Sequence, residues 1–243
     1  MAYLRHKFIL LPLIMSKMTA WHCVARATFL SLAILFSSFC NVSNASKSAV
    51  GSNLKSLIAA NQKRIASLAS ISNGVPEITL LRFALQFPND ADAQSALRDT
   101  LRWREGDGRY IVDSAAAAVA AATANGGWEN EYVRSAAPYA SKINKYITSK
   151  NILTISMNEG DLMYVIRASS IDDKALMDNI SVDQLVEFLL YVKEVHSLIV
   201  NARSENTGRL CGVLFANDIS GIRNIPDKRF SQALTASSQQ VRY

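Results

Sequence analysis

Few residues in this chain have the types and spacing for acid–base, nucleophilic or metal chemistry. Beyond residue 45 the chain holds one histidine, His196, and one cysteine, Cys211. One imidazole and one thiolate do not make a tetrahedral zinc site without several carboxylates, so no metal is expected. His196 falls in a long helical pattern, where a hydrogen-bonded structural histidine is the favoured reading over a functional one. Asp172 and Asp173 form a carboxylate pair. Negative charge is favoured at a helix N-terminus, and that reading outweighs an acid–base role. The chain contains no G-x-S-x-G, G-x-G-x-x-G or G-x-x-x-x-G-K-[ST], so neither a nucleophile elbow nor a phosphate cradle is announced. Gly106-Asp107-Gly108 reads as a loop after a helix. Lys142, Lys145 and Lys150 lie near Tyr139 and Tyr146. They read either as a solvated helix face or as a contact for anionic lipid head groups. The expectation is a protein with no catalytic residues, no metal and no cofactor, and not an enzyme.

Composition supports a packed core. Of 243 residues, 49% are hydrophobic, and nothing points to collagen, a disulfide scaffold or wholesale disorder. The net charge of +6 is concentrated at the start. Residues 1–45 carry Arg5, Lys7, Lys17 and Arg26 and no acidic residue, which leaves 22 basic and 20 acidic residues beyond. That balance lacks the positive field that non-specific nucleic-acid binding draws on, and no nucleic-acid partner is expected.

Residues 1–45 read as a signal or targeting segment. Thr28 to Phe36 is an apolar run too short for a membrane span, which needs about 20 residues. Small and polar residues follow, with Ser43 and Ala45 at the positions expected before a cleavage site. Met15 and Met18 are alternative starts. The leading expectation is the secretory pathway. A bipartite leader to a plastid, which the Ser-rich, acid-free stretch after Ala45 suits, and a retained single-pass anchor are the alternatives. Cys23 and Cys40 lie in the leader, so Cys211 is left with no internal partner. Secreted proteins usually carry more cysteine, which tilts toward an organelle or a reducing destination. Asn179-Ile180-Ser181 matches the glycosylation triplet, a frequent chance pattern.

The elements follow from periodicity and punctuation. Residues 46–75 form a poorly ordered or helical lead-in, with a helix from Leu54 toward Leu68 and a break at Ser72-Asn73-Gly74 and Pro76. Residues 76–150 form a helical region: helices at Glu77–Gln86 and Ala91–Arg104 across a turn at Pro88-Asn89, an Ala-rich helix at Tyr110–Ala124 ended by Asn125-Gly126-Gly127, and a short helix at Ser141–Ile147. The period then changes. Ile152–Met157 and Leu162–Arg167 read as a β-hairpin across Asn158-Glu159-Gly160-Asp161. Ser181, with Gln184 three residues on, is a capping box opening a long helix to Ala202. Leu210–Phe215 is a near-continuous apolar run, read as a strand covered on both faces. Strand, helix, strand implies a parallel βαβ unit and an α/β fold. A last helix spans Lys228–Gln239.

Leu80, Leu81, Arg82, Phe83, Asp90, Ala96, Leu97, Trp103 and Arg104 resemble the N-terminal helical pattern of the CRAL-TRIO family, which includes phosphatidylinositol-transfer and tocopherol-transfer proteins. Gly160-Asp161-Leu162-Met163-Tyr164-Val165 is similar to the family's Gly-Arg-Pro-Val-Tyr opening of a strand. Ile171-Asp172 and Ala175-Leu176 follow at family-like spacing. Val213 to Asp218, then Gly221, looks like its apolar strand ending in Asp with a Gly beyond. The match runs from about Ile78 to Tyr243. It departs from the family at Pro88, where a basic residue is usual, and at Asp161, where Arg is usual. The family's domain also continues beyond this point, so the resemblance implies that residues 151–243 are a partial CRAL-TRIO lipid-binding domain, truncated at the C-terminus and marginally stable.

The resemblance implies an α/β fold with a small, mainly parallel sheet under covering helices. It implies binding, and transfer between membranes, of a small hydrophobic lipid or phosphoinositide, with a transient membrane surface as partner. A non-catalytic protein-interaction module, or a non-functional fragment of the fold, is the alternative. The implied floor residues are Tyr164, Ile166, Val213 and Phe215. The other parity, Val165 and Leu214, would pack against helices behind, and which set faces the ligand is left open. Arg82 and Trp103 are expected to brace the helical hairpin.

Overall fold

The computed structural model describes residues 49–218, 220–221 and 226–240. The leader lies outside the described residues. Among them, no helix is long and apolar enough to cross a membrane.

The first layer is helical. Helices α1 (Leu54–Ala60) and α2 (Gln62–Ala69) replace the single helix expected there. The break falls at Asn61, whose side-chain Nδ2 donates to the Leu57 carbonyl at 2.8 Å. Such local bonding competes with helix continuation. α3 (Glu77–Gln86) and α4 (Asp90–Glu105) form the expected hairpin. Asn89 caps α4 by accepting from the Asp92 amide, which satisfies one orphan donor of the first turn. Ile65, Leu68, Leu81, Phe83 and Leu97 form this layer's core. Residues 51–54 also pair with 208–210, through Gly51 N–H to the Leu210 carbonyl and Leu54 N–H to that of Gly208.

Trp103, near the end of α4, sits over Gly108, immediately before α5 (Arg109–Thr123). A Cβ at Gly108 would overlap the indole ring. Gly108→Ala is therefore expected to cost roughly 1–3 kcal/mol as an overpacking change, read from a urea melt. An unchanged midpoint would show that the indole can move aside.

The second layer holds a three-stranded mixed sheet, ordered β1 (Ile152–Ser156), β2 (Leu162–Arg167), β3 (Val213–Asp218). β1 and β2 are the expected antiparallel hairpin, with Thr154 opposite Tyr164. β2 and β3 are parallel, with Tyr164 opposite Phe215. Between them run α8 (Asp173–Asn179) and the long α9 (Val182–Thr207). The chain is therefore mixed α/β, with a β2–α9–β3 crossover. Ser181 and Gln184 close the predicted capping box. Asp172 caps α8 by accepting from the Ala175 amide, and Asp173 accepts from the Asp227 amide at 2.8 Å. The carboxylate pair thus sits at a helix N-terminus.

α9 is buried on more than one face. Leu185, Val186, Phe188, Leu189, Leu190, Tyr191 and Val195 are all inside. α5 packs on one side of it and α10 (Lys228–Gln240) on another. Ala115 and Ala118 of α5, with no bulk beyond a methyl, lie buried in this core.

Two sheet expectations are corrected. The third strand begins three residues later than Leu210, and it is not covered on both faces: Leu214 is 49% exposed. The apolar run marks burial rather than strand. Leu210 and Cys211 are buried in the approach to β3, Leu210 against the first helical layer. The second correction concerns Val165 and Leu214. Leu214 is half exposed rather than covered by helices, Val165 is half-buried, and Ile155 on β1 is exposed on the same face. The inner face carries Leu162, Tyr164 and Ile166, all buried.

Arg82, expected to brace the helical hairpin, directs its hydrogen bonds away from it. Its Nε donates to Asn201 Oδ1 on α9 and its Nη2 to the Cys211 carbonyl, at 2.7 and 2.9 Å. It thereby ties the helical layer to the crossover helix and the approach to β3. Burial lowers its pKa to about 10.

Candidate functional site

A cavity of about 330 Å³ lies between the inner face of the β1–β2 hairpin, α9 and the segment carrying α6 (Asn130–Ala136) and α7 (Ala140–Ile143). Its floor is Ile152, Thr154, Leu162 and Tyr164. These share one face because side chains alternate along a strand and the register sets Thr154 opposite Tyr164. α9 supplies Phe188, Tyr191, Val192, Val195 and His196. Their spacing of three and four residues puts them on one stripe of the helix. Trp128, 45% exposed, stands at the rim.

The polar groups of the cavity are mostly satisfied by protein. His196 Nε2 and Thr154 Oγ1 are 2.8 Å apart. The Tyr191 hydroxyl donates to the Val133 carbonyl at 2.9 Å, tying α9 to α6, and burial pushes its pKa up to about 12. Arg203 donates to the Gly160 carbonyl and to Ser156 Oγ, at the end of β1. Arg134 donates to the Ile147 carbonyl. Tyr164 is the exception. It is 3% exposed, and its hydroxyl is buried without a hydrogen-bond partner. Its ring meets His196 edge-on at 5.0 Å and Phe215 at 5.8 Å. Burial raises its pKa well above the ordinary phenol value.

His196 is buried, and desolvation holds its pKa down at about 4, so the imidazole is neutral at pH 7. A hydroxyl beside a neutral imidazole is the first link of a nucleophile–base pair. The third link, a group orienting the base, is not seen on His196 among the described residues. Nor do they contain a cluster of three or more His, Cys, Asp or Glu placed to hold a metal. The lining is mainly apolar, with the Thr154–His196 pair, Arg134 and Arg203 among its polar groups.

Of the four residues expected at the ligand, Tyr164 lines the cavity. Ile166 lies in the main core, with Val213 and Phe215 packed against it. All four share the inner face of the sheet, since Tyr164 pairs with Phe215 and Leu162 with Val213. Of the cavity-lining residues of α9 and β1, His196 alone was singled out in the sequence, and there as a structural histidine. Thr154 was within reach, being the cross-strand partner of Tyr164 in the expected hairpin. Val133 and Arg134 carried no such signal, because α6 is one short helix with no buried stripe, and Trp128 lies in the segment before it. Lys142, Lys145 and Lys150 are exposed. Tyr139 donates its hydroxyl to Glu187, and the Tyr146 hydroxyl accepts from Asn179.

Fold and site together define a mixed α/β protein with an apolar cavity between a hairpin and a long helix. No protein-family model, no curated protein and no solved structure matches the chain.

Proposed function

We propose that this protein binds one small hydrophobic, lipid-like molecule in the cavity over β1 and β2. By the resemblance to CRAL-TRIO proteins, it would pass that molecule between membrane surfaces without a covalent step. The observation that carries the reading is the cavity itself: apolar side chains from three elements converge around about 330 Å³ on the inner face of the sheet. Ligand sites are typically mostly apolar concavities of roughly 300–1,000 Å³ with a few placed polar groups. A volume at the lower end favours a single-chain or compact guest over a two-chain phosphoinositide. Each methylene kept from water contributes about 0.8 kcal/mol, so such a cavity would hold its guest against loss to water while it passes between membranes. The secretory leader, with the plastid and anchored routes as alternatives, belongs to the same proposal.

Val192 borders the cavity from α9 and is only half-buried. Val192→Trp should fill the space and weaken binding about tenfold or more. Native mass spectrometry of the full chain, after incubation with a mixed lipid extract, should show an adduct on the wild type that the variant lacks. Equal adducts on both, with matching melts, would put the guest elsewhere. No adduct on either would end the proposal. A second reading, a non-catalytic interaction module, is favoured by the outer face of the sheet. There Ile155 and Leu214 are 43% and 49% exposed, an apolar patch of the kind that marks protein contacts.

A further inference from the structure

Apolar side chains alone would accept any greasy guest of the right size. The polar groups within the cavity narrow the choice. Tyr191 spends its hydroxyl on Val133, and His196 is engaged with Thr154. The guanidinium of Arg203 bonds at the strand end to Ser156 and Gly160, and that of Arg134 to Ile147. Tyr164 sits between these, at the middle of the hairpin floor, with a hydroxyl that no protein group meets. Buried polar groups are nearly always paired, and an unpaired one in a native fold calls for a reason. Tyr164 is among the residues lining the cavity, and its hydroxyl is itself covered, so a partner would come from the cavity side with a small movement of the side chains over it.

We propose that the guest carries one neutral acceptor oxygen, a ketone, ester or alcohol, that takes a hydrogen bond from the Tyr164 hydroxyl. Its apolar remainder would lie between the hairpin floor and α9. The inference rests on the binding function proposed above and specifies its ligand class. Neutrality follows from the groups beside Tyr164. Thr154 and the uncharged imidazole of His196 offer dipoles there and no full positive charge, while the guanidiniums of Arg134 and Arg203, which also line the cavity, are engaged with Ile147, Gly160 and Ser156. A carboxylate held at Tyr164 would lose its hydration without gaining a direct counter-ion.

The test uses the full chain, wild type and Tyr164→Phe, with three probes of equal carbon number: octane, 2-octanone and octanoate. Affinities come from displacement of a polarity-sensitive fluorescent dye. Tyr164→Phe should weaken 2-octanone about 3- to 10-fold, the range of one neutral hydrogen bond. Octane should change by less than about twofold. The variant's melting temperature should stay level or rise, because an unpaired buried hydroxyl has been removed. Equal changes for octane and the ketone would assign Tyr164 a packing role and overturn the inference. So would a ketone affinity untouched by the substitution. Octanoate binding tightest and indifferent to Tyr164→Phe would also overturn it, pointing to Arg134 or Arg203 while leaving the cavity's binding role intact. If none of the three binds, the proposed function fails, and this inference with it.

Discussion

Replacing Arg104 with alanine is expected to destabilise the fold by about 3 kcal/mol at pH 7. Arg104, at the end of α4, reaches both carboxylate oxygens of Glu194 on α9, at 2.8 and 2.7 Å. The Glu194 side chain is only 2% exposed. Removing one partner of a buried pair costs about 3–5 kcal/mol, because the other charge is left buried. The lower end applies because the Arg104 side chain keeps 28% exposure. In a chain of this size the loss should appear as a fall in melting temperature of roughly 6–12 °C.

The sign of the pH dependence follows. Burial raises the Glu194 pKa, and Arg104 opposes that rise. An acid whose folded pKa lies above its unfolded value favours the fold at low pH and penalises it as pH rises through the folded pKa. Without Arg104 this penalty grows, so the deficit of the variant should shrink on acidification. A double variant, Arg104→Met with Glu194→Leu, should recover most of the loss, since apolar replacement of both partners is often nearly neutral. If the double variant melts as low as the single one, the contribution lies in packing of the arginine stem and the ion-pair account is wrong.

Acid should weaken the fold through His196. Its folded pKa is about 4 against an ordinary 6.5, the shift arising from burial. Between these values the unfolded chain binds the proton and the folded chain does not. Stability is therefore full above about pH 6.5 and falls as pH drops toward 4. At 1.36 kcal/mol per pKa unit, the loss across that window is about 3 kcal/mol. Urea unfolding at pH 7, 5.5 and 4 would measure it. His196→Gln keeps a polar partner for Thr154 and does not titrate, so its curve should lack this component. Asp161, held down by Arg209 and the Gly212 amide against the opposing effect of its own burial, loses its contribution only as pH falls below the usual carboxylate range. The two effects thus separate along the pH axis. A wild type and His196→Gln that lose stability in parallel between pH 6.5 and 4 would show that the imidazole is not the titrating group.

Local signals were enough for much of this architecture. The capping box at Ser181 and Gln184, the turn at Gly160 and the caps at Asn89 and Asp172 are interactions within a few residues. The chain carries their geometry wherever it folds. The same holds for the hairpin, whose register its short turn constrains. The parallel pairing of β2 with β3 also followed from element order, because a helix between two strands brings them back side by side.

What the sequence by itself determined was the type and order of the main elements and the parity that groups Tyr164 with Ile166, Val213 and Phe215. What only the tertiary structure decided was which of them meets empty space. Leu210 and Cys211 look like strand but are buried in its approach, because apolar character records removal from water and not the conformation in which it happens. The cavity depends on how far α9 and α6 stand from the hairpin. That distance is set by side chains more than 30 residues apart, among them Tyr191 on Val133 and His196 on Thr154. Periodicity reports which face of an element is buried; the gap between two buried faces is a property of their packing alone.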